Sequence, residues 1–195
     1  MRIITGSARG VKLLTLEGEN TRPTTERVKE AVFSMIQFEI DGRRVLDLFS
    51  GSGQMGLEAL SRGAASATMV DHAKAAVEII KKNVLKTKLE GADVVLSDSL
   101  EYLRTSKRKK DEKFDIVFLD PPYTEKLIPQ ALELLLEGRK IKRTSLLVCE
   151  SGNYDDVFGK NAKLAERFEV LKQVKHGISY ITLLTPKKGD DEADE

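Results

Sequence analysis

Asp120-Pro121-Pro122-Tyr123 closes an apolar run, Phe114 to Leu119, and is the most chemically pointed stretch of the chain. Two consecutive prolines have no N–H to donate and a fixed φ. The turn therefore presents acceptors: the Asp120 carboxylate and a proline carbonyl. A rigid acceptor pair suits an –NH2 group with two hydrogens to give. Tyr123 adds a flat face on which a heterocyclic base can stack. The exocyclic amine of a base is a poor nucleophile, because its lone pair is delocalised into the ring. Accepting both of its N–H bonds can localise that lone pair and aim it at an electrophile. A second constellation lies upstream. Gly51-Ser52-Gly53-Gln54-Met55-Gly56 has the form G-x-G-x-x-G, and Asp71 follows Gly51 by 20 residues. The glycines let backbone approach a ligand, and a carboxylate at that distance can hold ribose hydroxyls. This indicates a nucleoside-containing ligand and fits a nicotinamide dinucleotide equally well.

The elements that position these residues follow from periodicity. Val45 to Phe49 reads as a buried strand leading into the glycine loop. Ser66 to Val70 leads into Asp71-His72, Asp93 to Leu96 into Ser97-Asp98-Ser99, and Phe114 to Leu119 into Asp120. Helical patterns alternate with them: Met55 to Arg62 stopped by Gly63, Ala73 to Val84, Ser99 to Thr105, and Leu127 to Glu137 with Pro129 in its first turn. Leu146 to Cys149 is a fifth strand. Such alternation predicts a parallel sheet with helices on both faces, whose ligands bind outside the carboxyl ends of the strands. The four junctions then line one crevice. Phe168 to Val174 and Ile178 to Thr185, around His176-Gly177, predict a closing antiparallel hairpin. The expected architecture is thus a Rossmann-like α/β fold with a seven-stranded, mostly parallel sheet. Ahead of it, Arg2–Thr5 and Val11–Leu16 flank Gly6 to Gly10 as a small hairpin. Arg22-Pro23-Thr24-Thr25-Glu26 then opens a helix running to about Phe38. The expected organisation is an extension over residues 1–40, a ligand-binding domain over 41–186 and an acidic tail over 187–195.

Composition narrows the class. The chain has 195 residues, 41% hydrophobic and 32% charged, which fits a folded globular domain and excludes a wholly disordered one. No apolar run is long enough for a membrane span, and Met1 to Gly6 lacks an apolar signal core, so a cytoplasmic protein is expected. Cys149 is the single cysteine, and the histidines are His72 and His176. A disulfide within the chain is impossible, and no metal site is expected. Cys149 lies in an apolar strand and reads as a core thiol. The net charge of +1 hides an imbalance: without the acidic last nine residues it is +4. Arg2, Arg9 and Lys12 form one basic stretch, Leu103 to Lys113 holds a second, and Arg139, Lys140, Lys142 and Arg143 form a third. Together they suit a polyanionic partner.

These motifs resemble the class I S-adenosylmethionine-dependent methyltransferases with an Asp-Pro-Pro-Tyr motif. More closely, the chain is similar to the RsmD-type 16S ribosomal RNA guanine-N2 methyltransferases. The similarity runs through Arg2-Ile3-Ile4 to Gly10, Arg22 to Glu30, Leu46 to Gly53, Gly56 to Ala64, Asp120 to Tyr123 and Gly177 to Leu184. The resemblance implies that Asp47, Phe49, Gly51, Ser52, Gly53 and Gly56 surround the methionine part of the cofactor. It implies that Asp71 holds the ribose, that His72 flanks the adenine and that Asp98 and Ser99 meet its edge. Arg22 and Thr24 would reach the cofactor or the target, and Asp120, Pro121 and Tyr123 would hold the guanine, with Pro122 completing the turn. Arg9 and Lys12 would touch RNA. The implied partner is small-subunit ribosomal RNA, free or in a partly assembled subunit, and nothing demands more than a monomer. Asp71 stands where the family often has glutamate, one methylene longer.

Other readings remain. A nicotinamide-dependent oxidoreductase explains the glycine loop but not the Asp-Pro-Pro-Tyr turn. An adenine-N6 methyltransferase shares that turn, but the chain has little room for a separate target-recognition domain. A non-catalytic RNA-binding module gives no reason for a complete cofactor crevice.

Overall fold

The computed structural model describes residues 1–15, 26–106 and 113–187. Seven strands form one sheet: β1 (Arg44–Asp47), β2 (Ser66–Asp71), β3 (Ala92–Leu96), β4 (Phe114–Leu119), β5 (Ile141–Ser151), β6 (Phe168–His176) and β7 (Ser179–Pro186). Their order is β3-β2-β1-β4-β5-β7-β6. The first five are parallel, and β7 pairs antiparallel with both β5 and β6, the expected closing hairpin. Among the described residues, six α-helices accompany the strands: α1 (Glu26–Met35), α2 (Gln54–Ser61), α3 (Lys74–Thr87), α4 (Ser99–Thr105), α5 (Ile128–Glu137) and α6 (Ala162–Glu166). Among the described residues, no helix is long and apolar enough to cross a membrane.

Alternation along the strands feeds two cores. Val45, Ala67, Met69, Ile116 and Phe118 face one side and meet α1, α2, α3 and the N-terminal segment. Leu46, Val70, Val117, Leu119 and Cys149 face the other and meet α4, α5 and α6. Cys149 is fully buried, as a core thiol should be, and burial pushes its pKa far up. Phe114 escapes the alternation because the β4–β5 register shifts between Phe114 and Ile116.

Some boundaries differ from the sequence reading. The N-terminal hairpin is reduced to a single bridge, Arg2 to Lys12, with three further backbone bonds around it. Its segment gains order from docking onto α2 rather than from a ladder of its own. Helix α1 stops at Met35, not near Phe38. Strand β5 begins at Ile141, five residues before the expected start, and this divides the third basic cluster. Lys140 is buried, with its ammonium on the Ser106 carbonyl and hydroxyl. Lys142 reaches the Asp115 carboxylate at 2.6 Å. Half of that cluster is therefore spent on internal bonds and is not a surface patch for polyanions. Asp115 is pushed up by partial burial, but the Lys142 ammonium and the Arg44 N–H outweigh this and hold it below the usual range.

The N-terminal segment is held by a buried charge. Glu58 of α2 and Lys29 of α1 are fully buried, 3.2 Å apart. Glu58 also accepts from the N–H groups of Ile4 and Thr5, at 2.8 and 3.0 Å, and from Arg62 Nε at 2.8 Å. Lys29 donates to the Arg2 carbonyl, and the Arg62 guanidinium lies 4.7 Å from the Phe33 ring centre. One turn along, the Ser61 hydroxyl donates to Thr5 O and accepts from Ala8 N–H. The approach is close enough that a Cβ on Gly6 would sit 1.7 Å from the Ser61 carbonyl oxygen, so only glycine fits. Removing one member of such a network strands the others without water. Glu58→Ala should lower the unfolding free energy by about 3–5 kcal/mol in urea titrations and open the segment before Leu13 to proteolysis.

Candidate cofactor and base-binding crevice

Strand order reverses at the β1–β4 boundary: from β1 the chain moves to β2 and β3 on one side, then returns to β4 on the other. Open α/β sheets bind ligands at this position, just beyond the strand ends. Asp47 lies opposite Phe118, and Leu48 N–H donates to the Phe118 carbonyl at 3.2 Å. The glycine loop after β1 and the Asp120 turn after β4 therefore leave the sheet side by side.

The loop is braced from below. Asp47, at the end of β1, is buried and accepts the Gly56 N–H at 3.1 Å. Burial pushes its pKa up to about 7; the Gly56 bond draws it back, and the nearby Asp71 charge adds to the rise. Asp71, at the end of β2, takes the Gly51 N–H on one oxygen and the Ala73 N–H on the other, each at 2.8 Å. Asn83 of α3 donates to the Ser52 carbonyl and exchanges two bonds with Leu14, linking the loop to the N-terminal segment. Gly51 has a positive φ of 55°, and a Cβ there would meet nothing within 4 Å, so the loop faces open space at this point. Gly53, in the left-handed conformation, caps α2.

On the β4 side, Pro121 is buried, Asp120 and Tyr123 are half-buried, and Pro122 is exposed. The Tyr123 hydroxyl donates to Glu150 Oε1 at 2.9 Å and lies 3.0 Å from Ser179 Oγ. Burial, and then the charges of Glu150 and Asp120, drive this phenol well above the ordinary tyrosine range, against the Ser179 bond. A narrow cleft of about 210 Å³, counting its open mouth, runs from Pro121, Pro122 and Tyr123 to Glu150 and Gly152.

Residues 1–185 match the model of the family described as conserved hypothetical protein 95, the RsmD family. The chain belongs to this family. The ribosomal RNA small subunit methyltransferase D of Haemophilus influenzae is 40% identical over 180 residues, which cover 91% of this chain and 90% of that protein. Its counterpart of the same name in Escherichia coli K12 is 37% identical over 151 residues, covering 77% and 74%. A solved Escherichia coli chain named as a methyltransferase matches with a TM-score of 0.81 at 31% identity, covering 97% of this chain and 99% of that one.

In this RsmD-family chain, the expected site residues gather unevenly. Asp47, Phe49, Gly51, Ser52, Gly53, Gly56 and Asp71 converge on the β1 and β2 ends, and Asp120 to Tyr123 stand at the β4 end. His72 follows Asp71 with an exposed side chain, its Nδ1 3.8 Å from the Asp71 carboxylate. Asp98 caps α4 by accepting the Glu101 N–H at 2.9 Å. Ser99 is buried and donates to the Leu48 carbonyl at 2.6 Å, which ties α4 to the glycine loop. Arg9 and Lys12 are exposed. Arg22, Thr24, most of the Lys107–Lys113 stretch and the acidic tail beyond Lys187 lie outside the described residues. Asn83, Glu150 and Ser179 were missed by the sequence reading. Each acts through a partner remote in the chain, and only the polar residue in the apolar β5 run hinted at Glu150.

The crevice fits a nucleoside cofactor. Gly51 offers an unfilled cradle, and a carboxylate oxygen can accept a further bond beside the one that each Asp71 oxygen already takes. The buried Gln54 Oε1, at the head of α2, has no hydrogen-bond partner among the described residues.

The raised Asp47 pKa makes a stability prediction. Its carboxyl is neutral in the fold at pH values where the unfolded chain is already ionised. The stabilisation is complete below about pH 4 and is lost as the pH rises through about 7. Asp47→Asn keeps an acceptor for Gly56 and removes the titration. Its unfolding free energy should therefore rise relative to that of wild type as the pH goes from 5 to 8, measured by denaturant titration.

Proposed function

We propose that this chain transfers the methyl group of S-adenosylmethionine to the exocyclic N2 amine of a guanine in small-subunit (16S) ribosomal RNA. The observation that carries the reading is the pairing, at one strand-order reversal, of a nucleoside cradle with a proline-rigid acceptor turn. The names and extents of the relatives support RNA as the substrate. A substrate of that kind places the reaction in the cytoplasm.

When bound, S-adenosylmethionine supplies a methyl already activated by its sulfonium. Asp47 and Asp71 brace the glycine loop that would hold the methionine part and the ribose, with His72, Asp98 and Ser99 on the adenine side. Asp120 and the adjacent proline carbonyl accept the two amine hydrogens and turn the nitrogen lone pair toward the methyl. Orientation in a water-poor crevice is the main contribution asked of the protein. The nitrogen would gain the methyl carbon as the carbon–sulfur bond breaks and the sulfur leaves as a neutral thioether; the nitrogen becomes cationic, and the Asp120 carboxylate takes its surplus proton. Tyr123 offers its ring to the base, which must leave its stack to reach the turn. Arg9 and Lys12 lie on the exposed N-terminal loop, where phosphates can approach.

Labelled S-adenosylmethionine, offered with unmodified rRNA, partly assembled small subunits and duplex DNA, should give N2-methylguanosine from the rRNA or the particle. N6-methyladenine would overturn the base assignment. Asp120→Ala should lower transfer by about a hundredfold or more while cofactor affinity stays near wild type. Arg9→Glu with Lys12→Glu should weaken rRNA binding and flatten its salt dependence by up to about two counterions in filter-binding titrations, with the fold intact.

A further inference from the structure

We infer that Glu150 and Ser179 are positioning residues for the target base: together they hold the Tyr123 ring at the angle at which the base stacks. The inference rests on the functional reading above.

Tyr123 has one phenolic proton, and it goes to Glu150 at 2.9 Å. Ser179, 3.0 Å away, must then donate its own proton to the phenol oxygen. The proton order is Ser179 to Tyr123 to Glu150, and it leaves the phenol no second proton for the substrate. Tyr123 thus acts through its ring, not as an acid or a base. Both partners are rigidly placed. Glu150 is buried within β5, and Ser179 is the buried first residue of β7. The strands hold each other in register, Glu150 opposite Ile181 and Ser151 opposite Tyr180. Among the described residues, Tyr123 is the only hydrogen-bond donor to the Glu150 side chain. Gly152 borders the ring: a Cβ added there would lie 3.5 Å from the Tyr123 ring edge, at van der Waals distance.

A tyrosine ring anchored only at its Cα end turns about two torsions. Bonds at the far end of the phenol remove that freedom, as a supporting shell must if a stacking face is to meet a base in one pose. The clamp also spans three separate parts of the chain: the turn after β4, the end of β5 and the start of β7.

A double-mutant cycle tests this in the methyl-transfer assay with rRNA. Tyr123→Phe and Glu150→Ala should each lower kcat/KM by roughly ten- to a hundredfold, as expected when a reacting group loses alignment. The double variant should be no worse than the poorer single one, because both changes break the same bond. Glu150→Gln keeps an acceptor and should stay within about threefold of wild type. Cofactor affinity should be unchanged throughout. Should Glu150→Ala fail to fold, the cycle of Tyr123→Phe with Ser179→Ala asks the same question. Losses that multiply, a Glu150→Gln as damaged as Glu150→Ala, or reduced cofactor affinity would overturn the clamp while leaving the function standing. A wild-type chain that binds cofactor and modifies no rRNA would overturn the functional reading and this role with it.

Discussion

The rest of the site depends on one buried carboxylate. Glu58 sits on α2, the helix that the glycine loop opens, and it is out of water. Burying an ion costs several kcal/mol unless charge and hydrogen bonds replace its hydration. Lys29, Arg62 and two backbone N–H groups of the N-terminal segment supply that replacement. The segment, α1 and α2 are therefore joined by an interaction that tolerates little displacement. Lys29 carries the matching cost: burial lowers its pKa, and the Glu58 charge opposes that fall. The exposed Arg9 and Lys12 are thereby held in fixed relation to the crevice, not carried on a loose arm.

A second constraint comes from topology. The reversal between β1 and β4 puts a crevice beyond the strand ends, and the residues that follow both strands border it. On one side the loop backbone is drawn tight by Asp47, Asp71 and Asn83, each taking or giving bonds to main-chain groups. On the other side the prolines set the turn and the Glu150–Ser179 pair sets the tyrosine. The two halves brace differently. The glycine-loop side uses backbone-to-carboxylate bonds within the first β–α units, whereas the Asp-Pro-Pro-Tyr side borrows from β5 and the closing hairpin. That hairpin does more than finish the sheet, because its first residue on β7 reaches the tyrosine of the Asp-Pro-Pro-Tyr turn.

Much of this was legible in the sequence because it arises from short-range effects. Period-two and period-3.6 apolar patterns placed all seven strands and five of the six helices, with α4 and β4 correct to the residue. Glycines after β1 and prolines after β4 announced their turns through backbone chemistry that no neighbour is needed to explain. The misreadings share one cause. Lys140, Lys142 and the residues around them look like a solvated basic loop, yet Lys140 is bound to Ser106 and β5 reaches back to Ile141, with Lys142 on Asp115. Arg2–Thr5 looks like a strand, yet the Ile4 and Thr5 N–H groups go to a glutamate 54 and 53 residues away.

The sequence by itself determined the fold class, the crevice and the kind of chemistry, since periodicity and turn residues act over a few neighbours. Only the tertiary structure decided which polar groups support them. Glu58 with Lys29, Asn83 with Leu14, and Tyr123 with Glu150 and Ser179 are pairs between 27 and 69 residues apart. A charge in an apolar helix or strand tells little until the fold brings its partner, because its role is set by what replaces its water.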